Sequence, residues 1–264
     1  MKSLPNTSNC VLELSDNWLT IWFDRPEKRN ALSKGLINDI ELTLLSVYEN
    51  QLIRGIIFRG KGDVFCAGAD LNEMKNISSL GSEARDLAIE MSERIGNLFK
   101  TISKAPQITV AAVHGAAIAG AFGIACATDF LITTSKAKYS LTETKIGLTP
   151  AQIAPYVINR LGFTNARKLM ILGTLFDGEK AFKIGMADYL ADTNDEFEQN
   201  IIDLKTEVNK CAPNAVSITK KIILDNYAVI SKNAAELFAD SIVNGEGIEG
   251  LNSFFEKRKP NWSL

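Results

Sequence analysis

The sequence predicts an α/β protein in which short buried strands alternate with helices. The segments Gly55–Phe58, Ile108–Val113 and Phe130–Thr133 are short, apolar and rich in β-branched residues, as expected of buried strands. Helical patterns separate these segments along the chain. Strands that alternate with helices in this way favour right-handed βαβ connections and a mainly parallel sheet.

The N-terminal segment predicts a hairpin followed by a helix. From Cys10 to Phe23 apolar and polar residues alternate on both sides of an Asp-Asn pair, which is the period of a half-buried strand and the composition of a tight turn. The loop RPEKRNALS follows, and a helix is predicted from about Ser33 to Tyr48. The strand Gly55–Phe58 comes next.

The middle and the end of the chain are predicted to be mainly helical outside two strands. A helix from Ala84 to Ile102 carries apolar residues at intervals of four, four, three and four, at Leu87, Met91, Ile95, Leu98 and Ile102. A helix of small residues is predicted from about Gly120. After about Asp195 the strand patterns stop, and one helical segment follows another.

Composition restricts the class of partner. The chain has 264 residues, 46% of them hydrophobic, so it can bury a large core. A net charge of −2 and a pI of about 5.6 provide no basic surface for nucleic acid or for an anionic membrane. The N-terminus lacks the pattern of a signal or transit peptide, and no apolar run reaches about 18 residues. We therefore expect a small-molecule partner.

The cysteines indicate neither a disulfide framework nor a metal site. The four cysteines are Cys10, Cys66, Cys126 and Cys211. They are widely spaced and form no CxxC pair or Cys/His cluster. Reduced thiols are typical of the cytoplasm, which is where we expect the protein to work. No metal is expected.

Two glycine-containing junctions between a strand and a helix are the candidate binding loops. They are FCAGADL at residues 65–71 and HGAAIAGAFG at residues 114–123. Small residues let a ligand approach the backbone, and the unpaired N–H groups at a helix start can hold negative charge. Two such junctions could meet at one oxyanion.

Three motifs, in their order and spacing, resemble those of the enoyl-CoA hydratase/isomerase (crotonase) superfamily. They are FDRPEKRNALS, FCAGADLNEM and AAVHGAAIAGAFGIACATD. The resemblance runs from about Val11 to Trp262. It implies a crotonase-like spiral of ββα units over residues 1–195, with the acyl-CoA site. It also implies a helical C-terminal region over residues 196–264 that helps to build homotrimers, often paired into hexamers.

The resemblance also implies the roles of individual residues. The backbone N–H groups of Ala69 and Gly120 would form an oxyanion hole for the thioester oxygen, the kind of feature that is usually the largest catalytic contribution. Phe254 and Lys257 would reach the CoA from the tail. The adenine and pantetheine of CoA would lie near Arg25, Lys28, Ala31, Ala67, Asp70 and Leu71.

The two carboxylate positions of the family decide the reaction. The first, in the helix after the second oxyanion glycine, is occupied here by Gly123, and the second by Glu143. A single Glu143 beside apolar walls would have a raised pKa and could serve first as base and then as acid. It could hydrate a 2-enoyl thioester or move a double bond from C3 to C2.

A finer resemblance favours hydration. TETKIGLTPAQIAPYVINRLG, FCAGADLNEMK and the glycine at 123 are similar to the methylglutaconyl-CoA and isohexenylglutaconyl-CoA hydratase branch, whose substrates carry a second carboxylate. We therefore expect an enoyl-CoA hydratase that needs no metal or redox cofactor, with CoA as part of the substrate. The alternatives are a Δ3-Δ2 enoyl-CoA isomerase and a non-catalytic acyl-CoA-binding protein.

Overall fold

The computed structural model describes residues 3–80, 83–224, 240 and 245–263. Two sheets organise this part of the chain, one of six strands in the order β1-β2-β3-β4-β6-β9 and one of three in the order β5-β7-β8. The strands are β1 (Cys10–Ser15), β2 (Trp18–Phe23), β3 (Gly55–Gly60), β4 (Ile108–Val113), β5 (Ala116–Ile118), β6 (Phe130–Thr134), β7 (Lys138–Ser140), β8 (Phe176–Asp177) and β9 (Tyr189–Ala191).

Helices surround the sheets, and the predicted helical segments are confirmed where the structure describes them. They are α1 (Lys34–Val47), α2 (Leu71–Ser78), α3 (Ala84–Lys104), α4 (Gly120–Ala127), α5 (Ala154–Leu172), α6 (Gly178–Lys183), α7 (Asn194–Asn209), α8 (Pro213–Leu224) and α9 (Gly245–Phe255). The helical pattern predicted at residues 225–239 and 241–244 lies outside the described residues.

The hairpin and the first helix form for local reasons. Asp16 and Asn17 connect β1 to β2 with φ of 51° and 64°, the left-handed conformation that two-residue hairpin turns need and that Asp and Asn tolerate. Ser33 caps α1, since its side chain accepts a hydrogen bond from the N–H of Leu36 at 3.2 Å. Both predictions from the sequence are confirmed.

The chain then winds as a spiral. After the hairpin, β3, β4, β6 and β9 pair in parallel in the larger sheet. Each of two successive turns contributes one strand to the larger sheet, one to the smaller sheet and one helix, namely β4-β5-α4 and β6-β7-α5. This is the predicted arrangement of ββα units.

Both faces of the larger sheet are covered. One face packs with α1, α3, α4 and α5 in a core that includes Phe58, Phe99 and Phe122, all fully buried. The other face carries Trp18, Ile57 and Val110 against the apolar side of α7. Helix α7 crosses the predicted boundary at residue 195 and packs on the sheet, while the division into residues 1–195 and 196–264 stays a prediction.

A buried ion pair fastens α8 to the start of two strands. The Lys220 ammonium, 8% exposed, donates to Asp129 at 2.6 Å and to the carbonyl of Gln107 at 2.9 Å. Asp129 also accepts the backbone N–H of Thr109 at 2.7 Å. Burial lowers the pKa of Lys220, and the neighbouring Asp129 raises it in part.

Lys220→Met is expected to lower the free energy of unfolding by about 3 kcal/mol, because it leaves a partly buried carboxylate without its cation. Urea denaturation measures the change. Lys221→Met, on the exposed side of the same helix, is the matched control and should stay within about 0.5 kcal/mol of the wild type. Equal stability of the two variants would contradict a stabilising role for the pair.

Candidate active site

The two glycine-containing junctions meet at the carboxyl ends of β3 and β4. Cys66 pairs in parallel with Ala117, because its N–H donates to the carbonyl of Ala116 at 3.0 Å and its carbonyl accepts the N–H of Ile118 at 3.2 Å. Segments 51 residues apart in sequence are therefore held side by side. The convergence predicted for these loops is confirmed.

Gly68 makes this close approach possible. Its φ is +90°, and a Cβ atom at this position would lie 2.6 Å from the carbonyl oxygen of Ile118 and 3.4 Å from the backbone nitrogen of Gly120. Only glycine fits both the backbone angle and the space.

The N–H of Ala69 is free to bind a ligand. Leu32 pairs in parallel with Ala69, and in this pairing the hydrogen bonds of Leu32 go to the residues on either side of Ala69. The N–H of Leu32 donates to the carbonyl of Gly68 at 2.8 Å, and the N–H of Asp70 donates to the carbonyl of Leu32 at 3.3 Å. The N–H of Ala69 itself has no acceptor among the described residues. A Cβ on Gly120 would lie 3.8 Å from this nitrogen, which places the two residues next to each other.

The N–H of Gly120 likewise has no acceptor among the described residues. Gly120 is the first residue of α4, where backbone N–H groups have no partner within the helix. The residue before it, Ala119, has φ of 51° and ψ of −117°, an unfavourable conformation for a residue with a side chain. Such strain costs about 1–3 kcal/mol and persists where the surroundings impose it. Here the N–H of Ala119 donates to Ser140 at 2.8 Å.

Glu143 reaches this site because of strand register. Ile118 of β5 pairs with Ser140 of β7, so the residues that follow both strands run side by side. Glu143 begins a short 3-10 helix there, Glu143–Ile146, and lines the same cavity as Ala69 and Gly120.

The Glu143 carboxyl is poised for proton transfer. Burial raises its pKa above the ordinary value, and its own backbone N–H lowers it in part. Its Oε2 atom is buried and has no hydrogen-bond partner among the described residues. A base with a raised pKa and an unpaired oxygen suits proton abstraction near neutral pH.

A phenylalanine fills the place of the first glutamate. A Cβ on Gly123 would lie 2.5 Å from Cζ and 2.9 Å from Cε1 of the Phe99 ring. Phe99 is fully buried and packs edge to face with Tyr156, with the ring centroids 5.6 Å apart. The Phe99 ring therefore lies where a side chain at position 123 would begin.

The cavity has a volume of about 740 Å³ and is lined mainly by apolar residues. Among the predicted residues it brings together Ala67, Ala69, Leu71, Gly120 and Glu143. It also includes Arg85 and Gln152, which the sequence did not single out. Arg85 lies on the cavity-facing side of α3, seven residues before Ser92, and that helical spacing was the available signal for it.

Gln152 is held inside the cavity by α3. Its Nε2 donates to the Oγ of Ser92 at 3.1 Å. A Cβ on Gly96 would lie 2.2 Å from the Gln152 Oε1, so this glycine leaves room for the amide. No short motif marks this contact in the sequence.

The predicted CoA-binding residues of the N-terminal half lie in one region. Arg25 donates to the carbonyl of Ala31 at 2.8 Å and lies 3.9 Å from the Asp70 carboxylate. Asp70 caps α2, the helix that begins at Leu71. Lys28 is exposed at the end of a 3-10 helix, Pro26–Lys28. Their contact with CoA stays a prediction.

Phe254 and Lys257 lie elsewhere in the described chain. They belong to the segment around α9, which is linked to the start of β3: Arg54 donates to the carbonyl of Trp262 at 2.9 Å. Neither residue is among those that line the cavity. Their role in CoA binding stays a prediction.

The described residues thus bring the N–H groups of Ala69 and Gly120 and the half-buried Glu143 carboxyl together at one cavity of the spiral fold. A family model described as enoyl-CoA hydratase/isomerase matches residues 13–264, and the chain belongs to this family. The spiral fold is likewise confirmed by solved structures, among them Pseudomonas aeruginosa AtuE, with a TM-score of 0.93 and 34% identity over 97% of this chain and 100% of that one.

Two curated relatives carry more specific names. The chain is 29% identical to the human mitochondrial methylglutaconyl-CoA hydratase, over 92% of this chain and 73% of that protein. It is 27% identical to the crotonyl-CoA hydratase of Syntrophomonas wolfei, over 96% of this chain and 97% of that protein.

None of the helices in the described residues combines the length and the apolar composition that a membrane span needs.

Glu143→Gln is expected to raise the free energy of unfolding near neutral pH. Burial raises the pKa of the folded carboxyl, so the wild type loses stability as the pH rises above the unfolded value of about 4.3 and through the raised value. The neutral amide avoids this loss. Urea unfolding should show the variant to be more stable than the wild type at about pH 8 and equally stable at about pH 4. A difference independent of pH would contradict the raised pKa.

Gly123→Ala is expected to destabilise the protein by about 1–3 kcal/mol, because the new methyl group would overlap the Phe99 ring. Phe99→Leu should relieve that overlap. Denaturation of both single variants and the double variant completes the comparison, and the double variant should cost less than the sum of the two. Strict additivity would mean that the two side chains do not compete for one space.

Proposed function

We propose that the protein is an enoyl-CoA hydratase, a hydro-lyase that adds water across the 2,3 double bond of an enoyl-CoA thioester. The observation that carries this proposal is the Glu143 carboxyl, with its raised pKa and unpaired Oε2, in one cavity with the free N–H groups of Ala69 and Gly120.

In the proposed reaction the thioester oxygen accepts hydrogen bonds from Ala69 and Gly120. As water attacks C3, negative charge moves to this oxygen, and the two N–H groups stabilise it. Both donors are rigid, since one is held by the pairing with Leu32 and the other begins a buried helix. Loss of one donor in such a site typically costs about a hundredfold to a thousandfold in rate.

Glu143 acts on the water. It takes a proton from the water that attacks C3, and the same carboxyl, or the water bound to it, returns a proton to C2. The described cavity wall holds no second carboxyl, and the position of the family's first glutamate is taken by Gly123, which packs against Phe99. Nor does the single histidine replace it: His114 contacts the carbonyl of Gly62 at 2.7 Å and does not line the cavity.

The names of the relatives support hydration of a short or branched acyl group. Hydratases of methylglutaconyl-CoA and of crotonyl-CoA are both similar to this chain. The predicted resemblance to the glutaconyl branch leads us to propose a substrate with a second carboxylate. A Δ3-Δ2 isomerase and a non-catalytic acyl-CoA-binding protein are the alternatives that the experiments below separate from hydration.

Further parts of the proposal concern CoA and assembly. The CoA of the substrate would lie beside Arg25, Lys28, Ala31, Asp70 and Leu71, and no metal or redox cofactor takes part.

We propose a homotrimer or a dimer of trimers. Phe254 and Phe255 support an interface, because both are 77% exposed. The four free cysteine thiols support a reducing, cytoplasmic location.

Glu143→Gln is expected to lower kcat for hydration by about a hundredfold to ten-thousandfold, since the amide cannot accept the proton of water. Binding of the thioester should be retained. The measurement is the loss of conjugated-thioester absorbance, with product mass, on crotonyl-CoA and 3-methylglutaconyl-CoA. Glu73→Gln is the control, because this nearby carboxyl accepts the N–H of Lys34 at 3.1 Å and does not line the cavity.

The same panel, extended to 3-enoyl-CoA thioesters, separates the alternatives. Addition of one water to a 2-enoyl thioester supports the hydratase. Conversion of 3-enoyl to 2-enoyl thioester at unchanged mass would replace it with the isomerase, and full activity of Glu143→Gln would remove this residue from the mechanism. Binding without turnover of any thioester would identify the protein as an acyl-CoA binder.

A further inference from the structure

Helix α3 forms one wall of the cavity and carries a charge on it. Its cavity-lining residues lie at intervals typical of one helix face, at Ala84, Arg85, Ala88, Met91, Ser92 and Ile95. All but two of these side chains are apolar. Among the described residues that line the cavity, Arg85 is the only cation and Glu143 the only anion.

The Arg85 guanidinium has donors available. Its side chain is 82% exposed, and its ion pair is with Asp86 at 3.9 Å, a neighbour that is itself 89% exposed. Adjacent residues on a helix do not face each other, so this contact binds the guanidinium weakly. The guanidinium makes no hydrogen bond to a described residue. Arg94 on the same helix, in contrast, is bonded to Glu90 at 3.1 Å.

Arg85 also lies at a distance from the reacting end of the cavity. Phe99 of α3 packs against Gly123, which follows Gly120 by three residues, and Ser92 holds Gln152 nearer the start of the helix. Arg85 precedes Ser92 by seven residues, about 10 Å along the helix. Met91 and Ala88 line the wall in between. An acyl group along this wall would meet apolar side chains first and the cation last.

We infer that Arg85 determines specificity by pairing with a carboxylate at the far end of the acyl group, so that the protein prefers dicarboxylic acyl-CoA thioesters. The planar guanidinium can bind a carboxylate through two parallel hydrogen bonds. It also offsets the repulsion between that carboxylate and Glu143. This inference rests on the proposed function for where the thioester binds, but it does not require that the protein turns the thioester over.

Binding of two unreactive thioesters of equal length tests it. Isothermal titration calorimetry compares glutaryl-CoA, which ends in a carboxylate, with pentanoyl-CoA, which ends in a methyl group. The wild type should bind glutaryl-CoA about tenfold more tightly, and Arg85→Met should reduce the preference to within about twofold. Arg85→Lys should keep part of it. Lys100→Met, which removes an exposed cation further along α3, should keep it all.

Several outcomes would overturn the inference. One is a wild type with no preference for glutaryl-CoA, and another is a preference that survives in Arg85→Met. Equal weakening of both thioesters in that variant would assign the guanidinium to a phosphate of CoA instead.

Turnover separates this inference from the proposed function. Arg85→Met should lower kcat/KM for 3-methylglutaconyl-CoA about tenfold and leave crotonyl-CoA within about twofold. A wild type that binds glutaryl-CoA through Arg85 but hydrates neither thioester would refute the proposed function and support the inference. Hydration of both thioesters by the wild type, with no change in Arg85→Met, would support the proposed function and refute the inference.

Discussion

The active site depends on the contact between two backbone segments at Gly68. There the first junction passes so close to the carbonyl of Ile118 that a single methyl group could not be placed between them. The parallel pairing of Cys66 with Ala117 holds the segments at this distance. As a result the N–H groups of Ala69 and Gly120 are adjacent, and neither has an acceptor among the described residues. Donors oriented in advance need no rearrangement when charge develops, which is why such sites are effective.

The rest of the fold maintains this contact at some cost. Ala119 adopts a strained conformation so that the N–H of Gly120 turns toward the site. Helix α4 behind it is completely buried and consists mostly of small residues, which lets it lie close to the sheet. Burial raises the pKa of the Cys66 thiol to about 12, so this residue next to the oxyanion loop stays neutral and serves as packing. In the proposed mechanism the chemistry is left to backbone donors and to Glu143.

Helix α3 lines one wall of the cavity and also packs against α4. Phe99 of this helix packs against Gly123 of α4, and neither of these two residues lines the cavity. At its outer end Arg85 places a positive charge where the acyl chain would leave the apolar wall. Between them Gly96 makes room for the Gln152 amide. In the proposed function this helix bears on the choice of substrate, while the thioester oxygen is bound by the backbone N–H groups of Ala69 and Gly120.

Much of this could be read from the sequence, because the relevant signals are local. The Asp-Asn turn, the Ser33 cap and the apolar strands β3 and β4 each depend on residues that are close along the chain, and they form as expected. The motifs also located both junctions and Glu143. Strands as short as β8 and β9, with two and three residues, have no period to detect. The packing of Phe99 against Gly123, the exposure of Arg85 to the cavity and the absence of Phe254 and Lys257 from its lining follow from tertiary packing. They depend on contacts between elements far apart in sequence, and no local pattern encodes those contacts.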